Sequence, residues 1–218
     1  MPTHPPSTGL AAAPTPVVRE GGLRVVVAAN SFAPHTLRPH QPITHTPDSV
    51  EARVNLAPLR ELYLASVRDQ GAIAKGLAEI ERLRGSAVPQ PGGALDATLA
   101  AYTGALVTLR AKHAFWPPQK LAHLRDGLAI LDRTVERYPD HAEARYLRLM
   151  SCYYLPSILG RGGSVRADFA ALARLLPAVR GQVPGDLYQA ITRFVVERGR
   201  LPAEQRRVLE DTLAQADA

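Results

Sequence analysis

From Asn55 to the end of the chain, apolar residues recur at intervals of three and four, which is the period of an α-helix. No segment in this region alternates apolar and polar residues as a half-buried strand does. The longest unbroken stripe steps by 4, 3, 4 and 3 residues, through Leu95, Leu99, Tyr102, Leu106 and Leu109. The sequence therefore predicts an all-α domain over residues 51–218.

Prolines and glycines divide this pattern into about eight helices. Trp116-Pro117-Pro118 ends the third helix, because a residue that precedes proline is displaced from the α region. Gly85 is expected to be the C-cap of the second helix, and Ser164 the N-cap of the sixth. The second, fourth, fifth and seventh helices are predicted at about 71–84, 118–138, 141–155 and 185–198.

The first part of the chain has a different character. Residues 1–47 hold nine of the 19 prolines, a density that prevents regular helix. Residues 1–50 are therefore predicted to be a Pro-rich, mostly disordered arm. As an export signal this arm is poor, because its short apolar run comes late. The expected location is the cytoplasm, with export as the alternative if the true N-terminus differs.

The basic charge of the chain is a weak indication of nucleic-acid binding. The formal net charge is +6 and the calculated pI is near 9.8. Acidic residues are interleaved with the basic ones along most helices, as in Asp132-Arg133 and Glu136-Arg137. Proteins that bind phosphate backbones usually concentrate their cations on one face. The pattern favours a solvated helical surface of mixed sign.

The fourth and fifth helices carry the residues of a known repeat. A small residue, a large apolar residue and a closing proline are followed by a Glu-Ala pair that opens the next helix, at Gly127, Leu131, Pro139 and Glu143-Ala144. This spacing resembles the second helix of a tetratricopeptide repeat and its connection to the next unit. The resemblance implies antiparallel helix pairs stacked as a short, irregular array that binds protein partners.

A second resemblance extends from about Leu59 to Leu209. It rests on five short segments: Leu59–Tyr63, Tyr102–Ala105, Ala111–Phe115, Arg145–Arg148 and Pro156–Gly160. Together they are similar to a family of small bacterial all-helical proteins that has no assigned activity. This resemblance supports the all-helical fold and adds no function.

Arg145 and Arg148 are the most informative charged pair. They lie three residues apart on one helix face, and neither has an acidic residue at helical spacing on the same helix. Two guanidinium groups on a largely apolar helix need carboxylates from other helices, backbone carbonyls or a ligand. The pair is either a structural tie, for example to Asp132, or a site for an anion or a partner's carboxylate.

Three further residues complete the candidate site. Lys112, Trp116 and Lys120 surround the Pro-Pro junction between the third and fourth helices. A tryptophan at such a junction is usually a core residue, and the alternative is an anchor on a binding surface. The partner- or anion-binding candidates are therefore Lys112, Trp116, Lys120, Arg145 and Arg148.

No motif in the chain specifies a reaction. Cys152, the single cysteine, is expected to be buried as a small apolar residue, and a base that could activate it is not evident. No catalytic residue, cofactor or metal site is predicted. The first interpretation is a non-catalytic helical-repeat module that binds a peptide or protein. The alternatives are a small anionic-ligand binder or enzyme that uses Arg145 and Arg148, and a weak nucleic-acid binder.

Overall fold

The computed structural model describes residues 54–87, 89 and 91–215, and these form eight α-helices and two short 3₁₀ turns. The 3₁₀ turns lie at Ser157–Leu159 and Leu176–Ala178. No strand forms among the described residues, and the all-α prediction is confirmed there. The predicted arm at residues 1–50 lies outside them. The helices are α1 (Ala57–Ser66), α2 (Gln70–Ala87), α3 (Ala94–His113), α4 (Pro117–Arg137), α5 (Ala142–Tyr153), α6 (Gly162–Leu175), α7 (Gly185–Arg198) and α8 (Ala203–Ala214).

Helix starts follow local chemistry at most positions. Proline occupies the first turn of α1 and α4, where its missing N–H would have no helical partner. The Asp69 carboxylate accepts a hydrogen bond from the backbone N–H of Gly71, at 2.8 Å, and so caps α2. His141 caps α5 in the same way, because its Nδ1 accepts from the N–H of Ala144. The predicted boundaries of α2, α4, α5 and α7 agree with the observed ones to within about three residues.

Two predicted caps are wrong. Gly85 lies inside α2, which continues to Ala87. Ser164 lies inside α6, which begins two residues earlier at Gly162. In both places the helix extends past the residue that local preference would use as a cap, because the adjoining residues also tolerate helical geometry.

The first hydrophobic core is built around α3. Half of this helix is buried, and it packs against α1, α2, α4 and α5. Its large apolar side chains point to one side, as the stripe predicts, while small residues cover the side that faces α4. The fully buried large residues of this core include Leu59, Ile80, Leu99, Leu106, Leu131 and Leu147.

A second core joins α5 to α6, α7 and α8. Leu149 of α5 belongs to it, together with Leu172, Ile191, Val195 and Leu209, each of which is fully buried. Leu147 of the same helix belongs to the first core. Helix α5 is therefore central to this part of the chain, since it supplies side chains to both cores.

Helices α3 and α4 approach each other most closely at two glycines. A Cβ atom on Gly127 would lie 2.5 Å from the backbone nitrogen of Thr108 and 2.7 Å from the carbonyl oxygen of Gly104. A Cβ on Gly104 would lie 2.8 Å from Leu131 Cγ. Neither position has room for a side chain, so the two backbones can meet here only because both residues are glycine.

Candidate functional site

Arg145 and Arg148 lie in a buried ionic cluster between α4, α5 and α6. Asp168 of α6 is fully buried and accepts three hydrogen bonds from them. Arg148 binds it through Nε and Nη2, at 2.8 and 2.7 Å, and Arg145 Nη1 adds a third contact at 3.0 Å. Arg145 Nε also donates to the carbonyl oxygen of Pro139. The two guanidinium groups are thus tied to other elements, and their side chains are only 14% and 11% exposed.

The cluster continues toward solvent through Asp132 and Arg161. Asp132 of α4 accepts from Arg148 Nη1 at 3.2 Å and from Arg161 Nη2 at 2.7 Å. Arg161 Nε is buried without an acceptor among the described residues. Three arginines therefore share two carboxylates, and Asp168 carries the largest part of the compensation because it is the only fully buried acid in the group.

The electrostatics of Arg148 agree with a structural tie. Burial alone would lower the pKa of Arg148, but its hydrogen bonds to Asp168 and the charges of Asp168 and Asp132 outweigh that effect and raise the pKa. The guanidinium therefore stays charged and bound to its carboxylates. The partner that sequence reasoning missed is Asp168. It lies 20 residues from Arg148 in the sequence, and no local spacing connects the two.

A second buried acid ties α1 to α5. Glu143 accepts hydrogen bonds from Arg60 Nε and Nη2, both at 2.9 Å, and from the Tyr102 hydroxyl at 2.7 Å. Burial is the largest of several causes that raise the pKa of Tyr102, and the neighbouring Glu143 carboxylate adds to it. The phenol therefore remains a hydrogen-bond donor at any ordinary pH. This group has a complete set of partners and is a structural tie.

The other three candidate residues lie on the surface at the junction of α3 and α4. Trp116 is 66% exposed and the adjacent Phe115 is 82% exposed, so the expectation that the tryptophan fills the core is wrong. The two rings contact each other edge to face, with centroids 5.5 Å apart. Lys112 and Lys120 are exposed on either side of them. We call the surface formed by Arg110, Lys112, Phe115, Trp116 and Lys120 the corner surface.

An open pocket of about 450 Å³ adjoins the corner surface. Phe115 and Arg110 line one part of it, and the first residue of α2, Gln70, lines another. None of the lining residues is acidic. The remaining lining residues are Ile73, Ala74, His113, Ala114, Gln119 and His123. We call this the corner pocket.

The cations at the corner surface are not compensated locally. The side chains of Arg110, Lys112 and Lys120 form no hydrogen bond or ion pair within the part of the chain that the structure describes. A sequence signal marks the place, because no acidic residue occurs between Asp96 and Asp126. That stretch contains Arg110 as well as the two lysines but neither Arg145 nor Arg148, so it could have separated this surface from the arginine pair.

The structure divides the five candidate residues into two groups. Lys112, Trp116 and Lys120 belong to the corner surface, whereas Arg145 and Arg148 belong to the ionic cluster. The length of α4 between Pro117 and Asp132 corresponds to about 22 Å at 1.5 Å per residue. A single small ligand therefore does not contact both groups.

Cys152 is buried beside the ionic cluster, as expected from the sequence. Burial raises the pKa of its thiol, and this outweighs the opposing effect of the neighbouring Arg161 guanidinium.

We expect Cys152 in the native protein at pH 8 to react with a disulfide reagent such as dithionitrobenzoate far more slowly than in the same protein unfolded in guanidinium. Equal absorbance traces under the two conditions would contradict the burial of this thiol.

The described residues contain neither a membrane-spanning helix nor a group of side chains suited to a metal ion. None of the helices in this part of the chain combines the length and the apolar character needed to cross a bilayer. Its histidine, cysteine, aspartate and glutamate side chains do not form a group of three or more that could hold a metal ion. No protein-family model, curated protein or solved structure matches the chain.

Proposed function

We propose that this protein is a non-catalytic helical-repeat module that binds a peptide or protein partner through the corner surface. The observation that carries the proposal is the exposed, edge-to-face pair of Phe115 and Trp116 next to an open pocket. Tryptophan is among the residues that most often dominate the binding energy of protein interfaces. Two adjacent large aromatic side chains that are exposed in the free protein are removed from water when a partner covers them. This burial favours binding.

The rigidity of the support strengthens the proposal. Phe115 and Trp116 occupy the short link between α3 and α4, and these two helices pack together more extensively than any other pair of described helices. His113, at the end of α3, also bonds the carbonyl oxygen of Ser66 at 2.8 Å and so ties the corner to α1. An anchor on a rigid support loses little conformational entropy on binding.

The order of helix packing supports the repeat-type architecture. The main contacts join helices that are one or two apart along the chain, from α1 to α8. Arrays of helical repeats have this nearest-neighbour character, since each unit packs only on those beside it. Gly104 and Gly127 allow the close approach that the resemblance to tetratricopeptide repeats implies for α3 and α4.

The alternative that uses Arg145 and Arg148 has less support. Their donors are occupied by Asp168, Asp132 and a backbone carbonyl, and an entering anion would have to displace a buried carboxylate. Cys152, the one nucleophile weighed from the sequence, has a raised pKa caused by burial. These observations favour an interaction module over an enzyme or a small-anion binder at this cluster.

A random peptide display library selected on the full chain tests the proposal. We expect selected peptides to lose roughly 30-fold in affinity when Trp116 is replaced with Ala, since interface hot spots contribute about 2 kcal/mol or more. Tyr154→Ala is the matched control, because Tyr154 is 70% exposed and lies outside the corner surface. The proposal fails if no peptide is selected, if Trp116→Ala binds the selected peptides as the unmodified chain does, or if Tyr154→Ala weakens them by the same factor.

A further inference from the structure

We propose that the corner pocket binds the side-chain carboxylate of an aspartate or glutamate in an acidic partner segment, while an apolar residue of that segment packs on Phe115 and Trp116. This inference rests on the proposed function and names the chemistry of the partner. It follows from the charges around the pocket, from the lack of local compensation for them, and from the position of the exposed rings.

The pocket offers donors suited to a carboxylate. Arg110 presents a guanidinium group, whose paired N–H donors match the two oxygens of a carboxylate. The side-chain amides of Gln70 and Gln119 supply further N–H groups. His113 donates through Nε2 to the Ser66 carbonyl oxygen, which holds the ring in position at the pocket wall.

The charges near the pocket are left for a partner to neutralise. Within the described residues, the side chains of Arg110, Lys112 and Lys120 have no acidic partner. The next arginine along the chain, Arg125, does have one, because its Nε lies 3.4 Å from Asp126. Asp69 precedes the pocket residue Gln70 but does not line the pocket, and its Oδ1 accepts a hydrogen bond from the backbone N–H of Gly71. An acidic segment complements this surface, and opposite charges across an interface favour both encounter and specificity.

The charge distribution favours a peptide over a nucleic acid. The pocket lining has a single arginine, which suits one carboxylate better than the successive phosphates of a nucleic-acid backbone. Its apolar lining, Ile73, Ala74 and Ala114, suits the methylene groups of an aspartate or glutamate. Nucleic-acid binding depends on a longer track of cations, whereas α2 carries Glu79 and Glu81 farther from this end.

The peptides selected on the full chain provide the test. We expect them to be enriched in Asp or Glu within a few positions of Trp, Phe or Leu. Changing those acids to amides should weaken binding of the synthetic peptide at least tenfold. The Arg110→Gln variant of the protein should bind the unchanged acidic peptide more weakly by a similar factor. Combined, the two changes should cost little more than either alone, which is the sign of a direct interaction in a double-mutant cycle. Arg193→Gln, at an exposed arginine of α7, is the control.

The outcomes separate this inference from the proposed function. Peptides that depend on Trp116 but show no acidic enrichment, or that bind equally well as amides, overturn the inference and leave the interaction module standing. A selection that yields no peptides removes both. If a single-stranded oligo(dT) binds in place of peptides, with the steep salt dependence of phosphate contacts, the nucleic-acid alternative replaces both.

Discussion

Replacement of Asp168 with Asn is expected to destabilise the protein by about 3–5 kcal/mol, the usual cost of removing one member of a buried ion pair. The carboxylate is fully buried and holds the guanidinium groups of Arg145 and Arg148 together. An amide of the same shape keeps the packing but removes the charge, and it leaves Asp132 alone with three arginines. The measurement is the free energy of unfolding in urea.

Asp140→Asn is the matched control for this prediction. Asp140 also pairs with an arginine, Arg174, at 2.7 Å, but both side chains are about 60% exposed. An exposed pair contributes roughly 0–1 kcal/mol, so the control variant should unfold close to the unmodified chain. If Asp168→Asn is as mild as the control, Arg145 and Arg148 have no need of this carboxylate, and the ligand-binding interpretation of the pair regains its basis.

Gly127→Ala is expected to destabilise the protein through overpacking, by about 1–3 kcal/mol or more. The added methyl group would lie 2.5 Å from the backbone nitrogen of Thr108, so α3 and α4 would have to move apart. Gly127→Leu should have a larger effect for the same reason. These losses oppose the gain of about 1 kcal/mol that alanine brings to a helix interior.

Gly85→Ala isolates that gain. Gly85 lies in the last turn of α2, and an added Cβ would meet no atom within 4 Å. This variant should therefore be more stable than the unmodified chain by roughly 0.5–1 kcal/mol. The two alanine variants are thus expected to shift the unfolding midpoint in opposite directions. A stabilising Gly127→Ala would show that α3 and α4 are not in close contact, and it would remove the support that this crossing lends to the repeat-type architecture.

Much of the helical layout could be predicted because its determinants are local. Pro117, Pro184 and Pro202 mark helix starts through the fixed backbone angle of proline, whatever surrounds them. The stripe through Leu99 and Leu106 identifies the buried side of α3 by spacing alone. Where local signals compete, as at Gly85 and Ser164, the same reasoning fails by a few residues.

The spacing of apolar residues does not predict how much of a helix is buried. Leu121, Leu124 and Leu128 of α4 have the same spacing of three and four residues, yet Leu121 is 56% exposed, because this end of the helix extends past the first core. The small residues of α3, including Ala101 and Ala105, look unremarkable in the sequence but are buried. A stripe reports which residues share a helix face, and it does not report how far along the helix a neighbour extends.

The sequence by itself determined the all-α class, the approximate helix boundaries and the burial of Cys152 in the described region, and it predicted five candidate site residues. Only the tertiary structure decided that Arg145 and Arg148 bind Asp168, that Trp116 is exposed, and that Arg110 lines a pocket. The physical reason is the range of the interactions. Helix propensity, capping and proline sterics act within about one turn, whereas an ion pair or a pocket depends on which helix faces meet, and the chain separates those faces by tens of residues.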